Sequence, residues 1–471
     1  MPKSTMTFLA DLKKNLPHDL VVIDKEVDSR FEVTGILQHL ENQKRCPAVL
    51  FQNVKNINGQ PGNRVLGWVE GTRQRVAVAL GLSPEQWKTE LTTELLKRVT
   101  NRIAPVIVKK NEAPVKEWVA KGEDVDLGHL PIVYHHDGDG NPYCTLPSVL
   151  KKPDNLGYNI AYLRVMFRNK NETGIHMSQG MHSWTIRNSY EQEGKPTPIA
   201  IVHGHHPAFL LAGVTTSPWP WDEYSVAGAM LGEPVRLTVS ETWGEDFMVP
   251  ADAEVVIEGE ILPKIRKAEG PFGEWTGYLG PQRYDPVIRV KAITHRKDYI
   301  YQDNFIGHRD FSYTGWEVDV MRRVSETLSG NLKAVYLPYS GRCGYHVYIS
   351  IKKLSEGDPM MAACAAQGVG KPKLIIIVDD DIDVFNEEEV WFAVATRFQA
   401  DRDMAVIPRV RGSMLDPSMW DDVTHATLVI DATKPVNRPF ETRLRLPEEV
   451  MDRLDLQDYI PREVLEKTPV Y

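Results

Sequence analysis

Apolar residues in the first hundred positions recur at two different spacings. From Arg30 to Asn42 they fall at helical intervals, and Pro47-Ala48-Val49-Leu50-Phe51 is an apolar run of strand length. Ser83-Pro84-Glu85-Gln86 has the form of a capping box with proline at the first helical position. It predicts a helix from there to about Val99. Ala104-Pro105-Val106-Ile107-Val108 reads as extended, and the polar stretch 109–126 after it marks a first boundary. From 127 to 310 the pattern is β-rich. Val255 to Leu262 and Val287 to Ile293 alternate or run apolar with β-branched residues, and short strands broken by Gly and Pro predict a barrel or sandwich. The period then changes again. Trp316 to Leu328 and Glu387 to Phe398 are helical, while Val335 to Leu337, His346 to Ile351, Leu374 to Val378 and Met404 to Pro408 are strand-like. That order predicts a small α/β domain with crossover connections.

The expected fold is therefore α/β (α+β) in four parts. These are an N-terminal mixed α/β domain at 1–126, a β-rich, split-barrel-like domain at 127–310, a C-terminal α/β oligomerisation domain at 311–435, and a tail at 436–471. The tail carries a short helix, Glu448 to Leu456, expected to pack on a partner subunit. A length of 471 residues suits two or three domains with sizeable cores.

Composition narrows the function. Apolar and charged fractions of 42% and 25% are those of an ordinary globular protein. Net charge is −9 with no Lys/Arg run, which argues against nucleic acid or an anionic membrane as partner. No apolar stretch reaches the length of a membrane-spanning helix, and Met1-Pro2-Lys3-Ser4-Thr5-Met6 lacks the apolar core of a signal peptide. Cys46, Cys144, Cys343 and Cys364 are scattered with no CxxC, so a reducing, cytoplasmic location is expected. Cys343, in Gly341-Arg342-Cys343-Gly344, could be a nucleophile, but it has no assignable base and reads rather as a buried or idle thiol.

The most informative stretch is Glu269-Gly270-Pro271-Phe272-Gly273-Glu274, followed by Trp275-Thr276-Gly277-Tyr278. Gly and Pro restrict the backbone path of such a turn, so both acids can be aimed at one point. Crowding and burial would raise at least one pKa and give a proton donor near neutral pH. By spacing alone, a surface turn with two solvated acids is an equal reading. Arg164 ends a strand-like run, Asn159-Ile160-Ala161-Tyr162-Leu163, and suits bidentate capture of a carboxylate or phosphate, or else a surface ion pair. Asn159, His182 and Glu223 could together form a mixed O/N site for Mn²⁺ or Mg²⁺, although each alone reads as structural. Glu223 opens a helix, a place that favours anions.

Other motifs carry less. His203-Gly204-His205-His206 lacks metal-ligand spacing. Asp137-Gly138-Asp139-Gly140-Asn141 begins like a calcium loop, but has Pro142 and Ser148 where that loop needs Gly and Glu. Asp379-Asp380-Asp381-Ile382-Asp383 is expected to cap the following helix. There is no phosphate-binding GxxxxGK[ST], no GxGxxG after a strand and no GxSxG.

Taken together these segments resemble the UbiD family of decarboxylases, which use prenylated flavin mononucleotide (prenylated FMN). Pro47 to Phe51 and Gly71-Thr72-Arg73-Gln74-Arg75 are similar to N-terminal family segments. Asn159, Arg164, His182 and Glu223 before Ala227-Gly228 follow in the family's order. The Glu-Gly-Pro-Phe-Gly-acid block is the most specific match, and Leu374 to Val384 and Arg402-Asp403 with Leu415-Asp416-Pro417-Ser418 resemble the C-terminal domain. The resemblance implies that Asn159, His182 and Glu223 hold a divalent metal, usually Mn²⁺ (or Mg²⁺), which anchors the cofactor phosphate. It implies K⁺ beside it, near Thr215 to Pro218. Arg164, Glu269 and Glu274 match the catalytic network. Cofactor contacts are implied for Asn159, Ile160, Ala161, Tyr162, Leu163 and Arg164, for Met181 and His182, for Thr216, Pro218 and Glu223, and for Lys373 as a phosphate lysine. Two positions depart from the pattern: Ala161 stands where glycine is common, and Met181 where a polar residue is.

The activity so implied is reversible, non-oxidative decarboxylation. Arg164 holds the carboxylate, Glu269 supports Arg164 and the active isomer of the cofactor, and Glu274 protonates the product carbon. The expected substrate is an aromatic or heteroaromatic carboxylic acid, with CO₂ as co-product. A flavin prenyltransferase is the expected cofactor supplier, and the oligomer is expected to be a homodimer or larger. Alternatives are an α,β-unsaturated acid, an aryl-CoA thioester, physiological carboxylation, or a non-enzymatic flavin-binding protein. His308-Arg309-Asp310 could recognise a second polar group on the substrate or form an interdomain ion network, and the two readings stand level.

Overall fold

The computed structural model describes residues 2–309, 314–419 and 424–468. A first sheet joins Leu20–Ile23, Ala48–Lys55, Asn63–Gly67 and Tyr301–Gln302 in that order, with Val27–Asp28 beside Ala48–Lys55. The apolar run expected as a buried strand is that second strand, buried over Ala48 to Phe51. The expected helix at Arg30 spans Glu32–Asn42. The helix expected from Ser83 begins later, at Thr89–Thr100. Gln86 Oε1 does accept from the Ser83 amide at 3.0 Å, but the box closes an isolated turn.

The second sheet has nine strands, all antiparallel. Its path runs Tyr143–Cys144, Val165–Asn169, Glu172–Ile175, Arg283–His295, Val255–Glu269, Thr197–His203, Pro147–Lys151 and Tyr158–Tyr162, with Trp118–Lys121 also on Arg283–His295. Tyr158–Tyr162 ends this path and Val165–Asn169 lies next to its other end, yet only Leu163 and Arg164 separate them in sequence. Two residues bridge less than about 12 Å, so the sheet must curl until its ends nearly meet. This is the split, barrel-like sheet expected from the broken strands. Its filling is one apolar cluster built from Leu150, Val165, Ile199, Ile257, Ile288 and Tyr301 among others. Pairing also crosses the expected boundary at 126, because Val106–Ile107 pairs with Arg236–Ser240 and Trp118–Lys121 joins the barrel.

The third sheet runs Leu332–Tyr336, His346–Ile351, Leu374–Asp379, Thr424–Ala432, Met404–Arg411, with its three central strands parallel. Helices Thr314–Leu328 and Asp358–Gln367 cover one face and Glu387–Arg397 the other. Asp358–Gln367 and Thr424–Ala432 were not foreseen. The helix is alanine-rich with no clear apolar stripe, and the strand mixes polar with apolar residues. The tail helix, Glu448–Arg453, has no buried residue.

Candidate active site

Arg164 sits in the seam where the curled sheet nearly closes, and its side chain is buried. Its Nη2 donates to Glu269 Oε2 at 2.7 Å, and its Nη1 donates to Glu274 Oε1. Glu269 ends the strand Val255–Glu269, and Glu274 lies five residues on, across the turn. Both acids are therefore brought onto one guanidinium, with Glu269 fully buried and Glu274 nearly so. Burial opposes the Arg164 charge, but Glu274 and Glu269 outweigh it and raise the Arg164 pKa. Burial raises the Glu274 pKa, with Glu269 adding to the rise while Arg164 and His176 oppose it. Arg164 Nε is buried without a protein acceptor.

The turn is braced from outside. Asp139 Oδ1 accepts from the Gly273 amide at 2.7 Å and Oδ2 from the His136 amide at 2.9 Å. The Gly140 amide donates to Pro271 O at 2.8 Å. A Cβ at Gly140 would lie 2.6 Å from Gly270 O, so a side chain there would push the turn away. The segment that begins like a calcium loop is thus a clamp on the acid turn. On the inner side, a Cβ at Gly280 would lie 2.9 Å from Glu274 Oε1 and 3.0 Å from Arg164 Nη1.

The seam opens on a cavity of about 470 Å³ lined by 159–164, Met181, His182, Thr216, Glu223 and Glu274. Asn159 Nδ2 donates to Glu223 at 2.8 Å and 3.0 Å, and His182 Nδ1 stands 3.7 Å from Glu223 Oε1. Glu223 opens the helix Glu223–Leu231 as expected. Asn159 Oδ1 is buried with no donor, as is Ser217 Oγ in the adjoining loop. A carboxylate, an imidazole and an unsatisfied amide oxygen at one spot fit a hard or borderline divalent cation.

Two expected cofactor contacts lie off this wall. Pro218 does not line the cavity, and Lys373 is held by Asp416 at 2.8 Å and Ser418 at 2.5 Å. Lys371 lines it instead. Its Nζ lies 3.0 Å from the Trp316 ring centroid, and burial pushes its pKa down to about 7 against the pull of Asp319. Asp319, raised to about 6 by burial, accepts from the Thr216 amide at 3.2 Å and so ties that loop to the helix Thr314–Leu328. Sequence had no means of choosing between the lysines of Gly370-Lys371-Pro372-Lys373. The choice depends on a glycine with φ +82° and on where the following strand begins. Thr145, His176, Trp275, Trp316, Ser413 and Leu415 also line the wall and carried no sequence signal as a set.

The remaining motifs find structural partners. His203, His205 and His206 are buried, and desolvation lowers the first two to about 4 and about 3. Asp379 pairs with Arg397 at 2.6 Å, and Asp381 pairs with Arg397 and Lys434. The cap of the following helix is Asn386, which corrects the expectation for the acidic run. Cys343 is pushed far up by burial, so its thiol stays protonated. His308 bonds Glu41 at 2.8 Å, and Arg309 stacks on Tyr339 at 4.0 Å from its centroid. Neither lines the cavity, which favours the ion-network reading, while Asp310 to Tyr313 lie outside the described residues.

The curled sheet places a buried arginine and its two acids at the wall of one cavity of about 470 Å³. Three family models match this chain. They describe the 3-octaprenyl-4-hydroxybenzoate carboxy-lyase N-terminal domain at 11–99, its Rift-related domain at 106–309 and its C-terminal domain at 315–432. The chain belongs to the UbiD family and is a UbiD-like decarboxylase, a carboxy-lyase. It is 32% identical over 448 residues to the anhydromevalonate phosphate decarboxylase of Methanosarcina mazei, covering 94% of this chain and 99% of that protein. It is 30% identical over 481 residues to the phenolic acid decarboxylase of Bacillus subtilis, covering 96% and 98%. Its fold matches the UbiD-class enzyme HmfF from Pelotomaculum thermopropionicum in complex with FMN, with TM-score 0.88, 35% identity and coverage of 97% and 100%. An evolved dimeric form of that enzyme in complex with prFMN matches with TM-score 0.85, 33% identity and the same coverage. Among the described residues no helix is long and apolar enough to cross a membrane.

Proposed function

We propose that this protein is a reversible, non-oxidative decarboxylase of an aromatic or heteroaromatic carboxylic acid, acting with prenylated FMN. The observation that carries the reading is Arg164, gripped by Glu269 and Glu274 on a cavity wall faced by Phe272, Trp275 and Trp316. Asn159, His182 and Glu223 would hold a Mn²⁺ or Mg²⁺ ion at the cofactor phosphate, with Lys371 beside that charge. The loop with Thr216, Ser217 and Pro218 would hold K⁺, for which the unsatisfied Ser217 oxygen is the support. When bound, the prenylated flavin supplies an electron sink for the pair left on an sp² carbon as CO₂ departs.

The chain's own residues do the rest. Arg164 captures and orients the substrate carboxylate, for which its unpartnered Nε offers a donor. Glu269 keeps the guanidinium in place. Glu274, whose pKa burial raises, delivers its proton to the carbon that CO₂ leaves. The apolar walls exclude water and fit a planar acid. A second reading, a non-aromatic acid, is supported by the likeness to decarboxylases named for anhydromevalonate phosphate.

The test is co-expression with a flavin prenyltransferase, then mass spectrometry, metal analysis and CO₂ release from a panel of aromatic, heteroaromatic and α,β-unsaturated acids. Bound prenylated flavin with turnover of an aromatic acid is the expected result. A folded protein that takes up no flavin and releases no CO₂ overturns the reading, and selective turnover of unsaturated acids establishes the second one.

A further inference from the structure

Each decarboxylation consumes one proton: the carboxylate leaves as CO₂, and a C–H bond replaces the C–C bond. If Glu274 gives that proton, it must be reloaded once per turnover, from inside a site walled by Phe272, Trp275 and Trp316. The Glu274 side chain is 9% exposed and Glu269 has no exposure at all, so neither meets bulk water freely. A second histidine is among the ionisable side chains at this wall, with His182, Glu223 and Lys371. His176 follows the strand Glu172–Ile175 and lines the same cavity as Glu274.

His176 is held, not loose. Its Nδ1 lies 2.8 Å from Asp285 Oδ2, on the strand Arg283–His295. A ring nitrogen of His176 and one carboxylate oxygen each from Asp285 and Glu269 lie within 4.8 Å of one another. The His176 and Asp285 side chains are 12% and 14% exposed, a little more than the 9% of Glu274, while Glu269 is fully buried. A carboxylate behind an imidazole fixes its orientation. Glu269 Oε1 is buried without a donor on the side not used by Arg164, an acceptor that a cationic ring would face. The cluster is not read as a metal site, because Glu269 Oε2 is taken by the Arg164 guanidinium at 2.7 Å and Asp285 Oδ2 by the His176 ring at 2.8 Å.

We propose that His176, oriented by Asp285, is a positioning residue that returns a proton to Glu274 after each turnover. This rests on the decarboxylase reading above. The protonated imidazole gives its proton to the Glu274 carboxylate, directly or through a water, and the neutral ring is reprotonated from solvent. No bond to carbon is made by His176, and electrons do not change hands. A cation here also opposes the charge that the substrate carboxylate brings to the buried acids. The charged groups around the ring are Asp285, Glu269, Glu274 and Arg164. On the flanking strands stand Lys267, the register partner of Asp285, and Arg168 and Glu172, with Lys267 bonded to Glu172 at 2.7 Å.

The experiment compares wild-type holoenzyme with His176→Gln and Asp285→Asn for kcat, KM, pH profile, and solvent hydrogen–deuterium exchange at the product carbon. For His176→Gln, kcat and the exchange rate should fall about 10- to 100-fold with KM within about twofold, and added imidazole should restore part of both. Asp285→Asn should lower kcat about 3- to 10-fold and shift the acidic limb of the profile. Unchanged kcat and exchange in His176→Gln overturn the proposal while leaving the decarboxylase reading intact. So does a loss that imidazole does not relieve. If His176→Gln fails to fold, Asp285→Asn decides: an unchanged kcat and profile overturn the proposal. Absence of turnover and exchange in the wild-type holoenzyme overturns both readings together.

Discussion

At the residue scale the site depends on where one proton rests. Glu274 carries a raised pKa because burial penalises its carboxylate more than Arg164 stabilises it. The acid form therefore persists above the usual carboxylate range, and kcat should fall as pH rises through that raised value. Glu274→Gln should keep the flavin, seen by absorption, and lower kcat about 100- to 10,000-fold. Full activity in that variant would falsify the proton-donor role. Lys371 is the opposite case: burial of its ammonium outweighs the pull of Asp319 and costs stability. In cofactor-free protein Lys371→Met should raise Tm by about 2–4 °C at pH 7 and weaken flavin retention. The sign follows from a folded pKa near 7 against an ordinary value of 10.5. The cost is full below pH 7 and is relieved as pH rises toward the ordinary value, so the gap in Tm between variant and wild type should narrow there.

At the element scale the acid turn is held by a neighbouring loop, not by itself. Asp139 satisfies two amides, those of Gly273 and His136, and the Gly140 amide takes Pro271 O. Asp139→Ala leaves two buried donors open and should cost about 2 kcal/mol, measured by denaturant unfolding. It should also lower kcat more than it changes KM, since the turn that carries Glu274 loosens. Unchanged stability and kcat would show that the turn holds its path unaided. The acids themselves were legible in the sequence because a Gly-Pro-Phe-Gly turn is a local object. The clamp was not, since Asp139 lies more than a hundred residues away and its motif pointed to calcium.

At the scale of the molecule, three regions meet around Glu41. This residue of the helix Glu32–Asn42 accepts from His308 Nδ1 at 2.8 Å and from Tyr339 Oη at 2.6 Å, while His308 Nε2 lies 3.3 Å from His136 Nε2. Burial pushes the Glu41 pKa up, but the His308 and Tyr339 bonds outweigh it and leave the pKa lowered. A carboxylate lowered on folding stabilises above its unfolded pKa and loses that contribution as pH falls through the folded value. Glu41→Gln should therefore lower stability by about 1 kcal/mol at neutral pH. The difference from wild type should vanish below the ordinary carboxylate range, in Tm measured against pH. A constant difference across that range would remove Glu41 as the source.

Periodicity along the chain sufficed for the mixed α/β class and for the central-sheet strands through Asn159 to Leu163, Val255 to Leu262 and Val287 to Ile293, because burial of one face imposes a spacing on nearby residues. The family motifs likewise carried Arg164, Glu269, Glu274, Asn159, His182 and Glu223, each readable as a residue type in a local frame. Tertiary structure decided which of these meet. Strands far apart in sheet order are joined through Arg164 only because the sheet curls on itself, and curling is a property of the pairing of strands distant in sequence. The same closure brings Lys371 rather than Lys373 to the cavity, sets His176 beside Glu269, and turns a calcium-like loop into a brace. Local spacing cannot encode these contacts, since each joins segments that only long-range packing brings into reach.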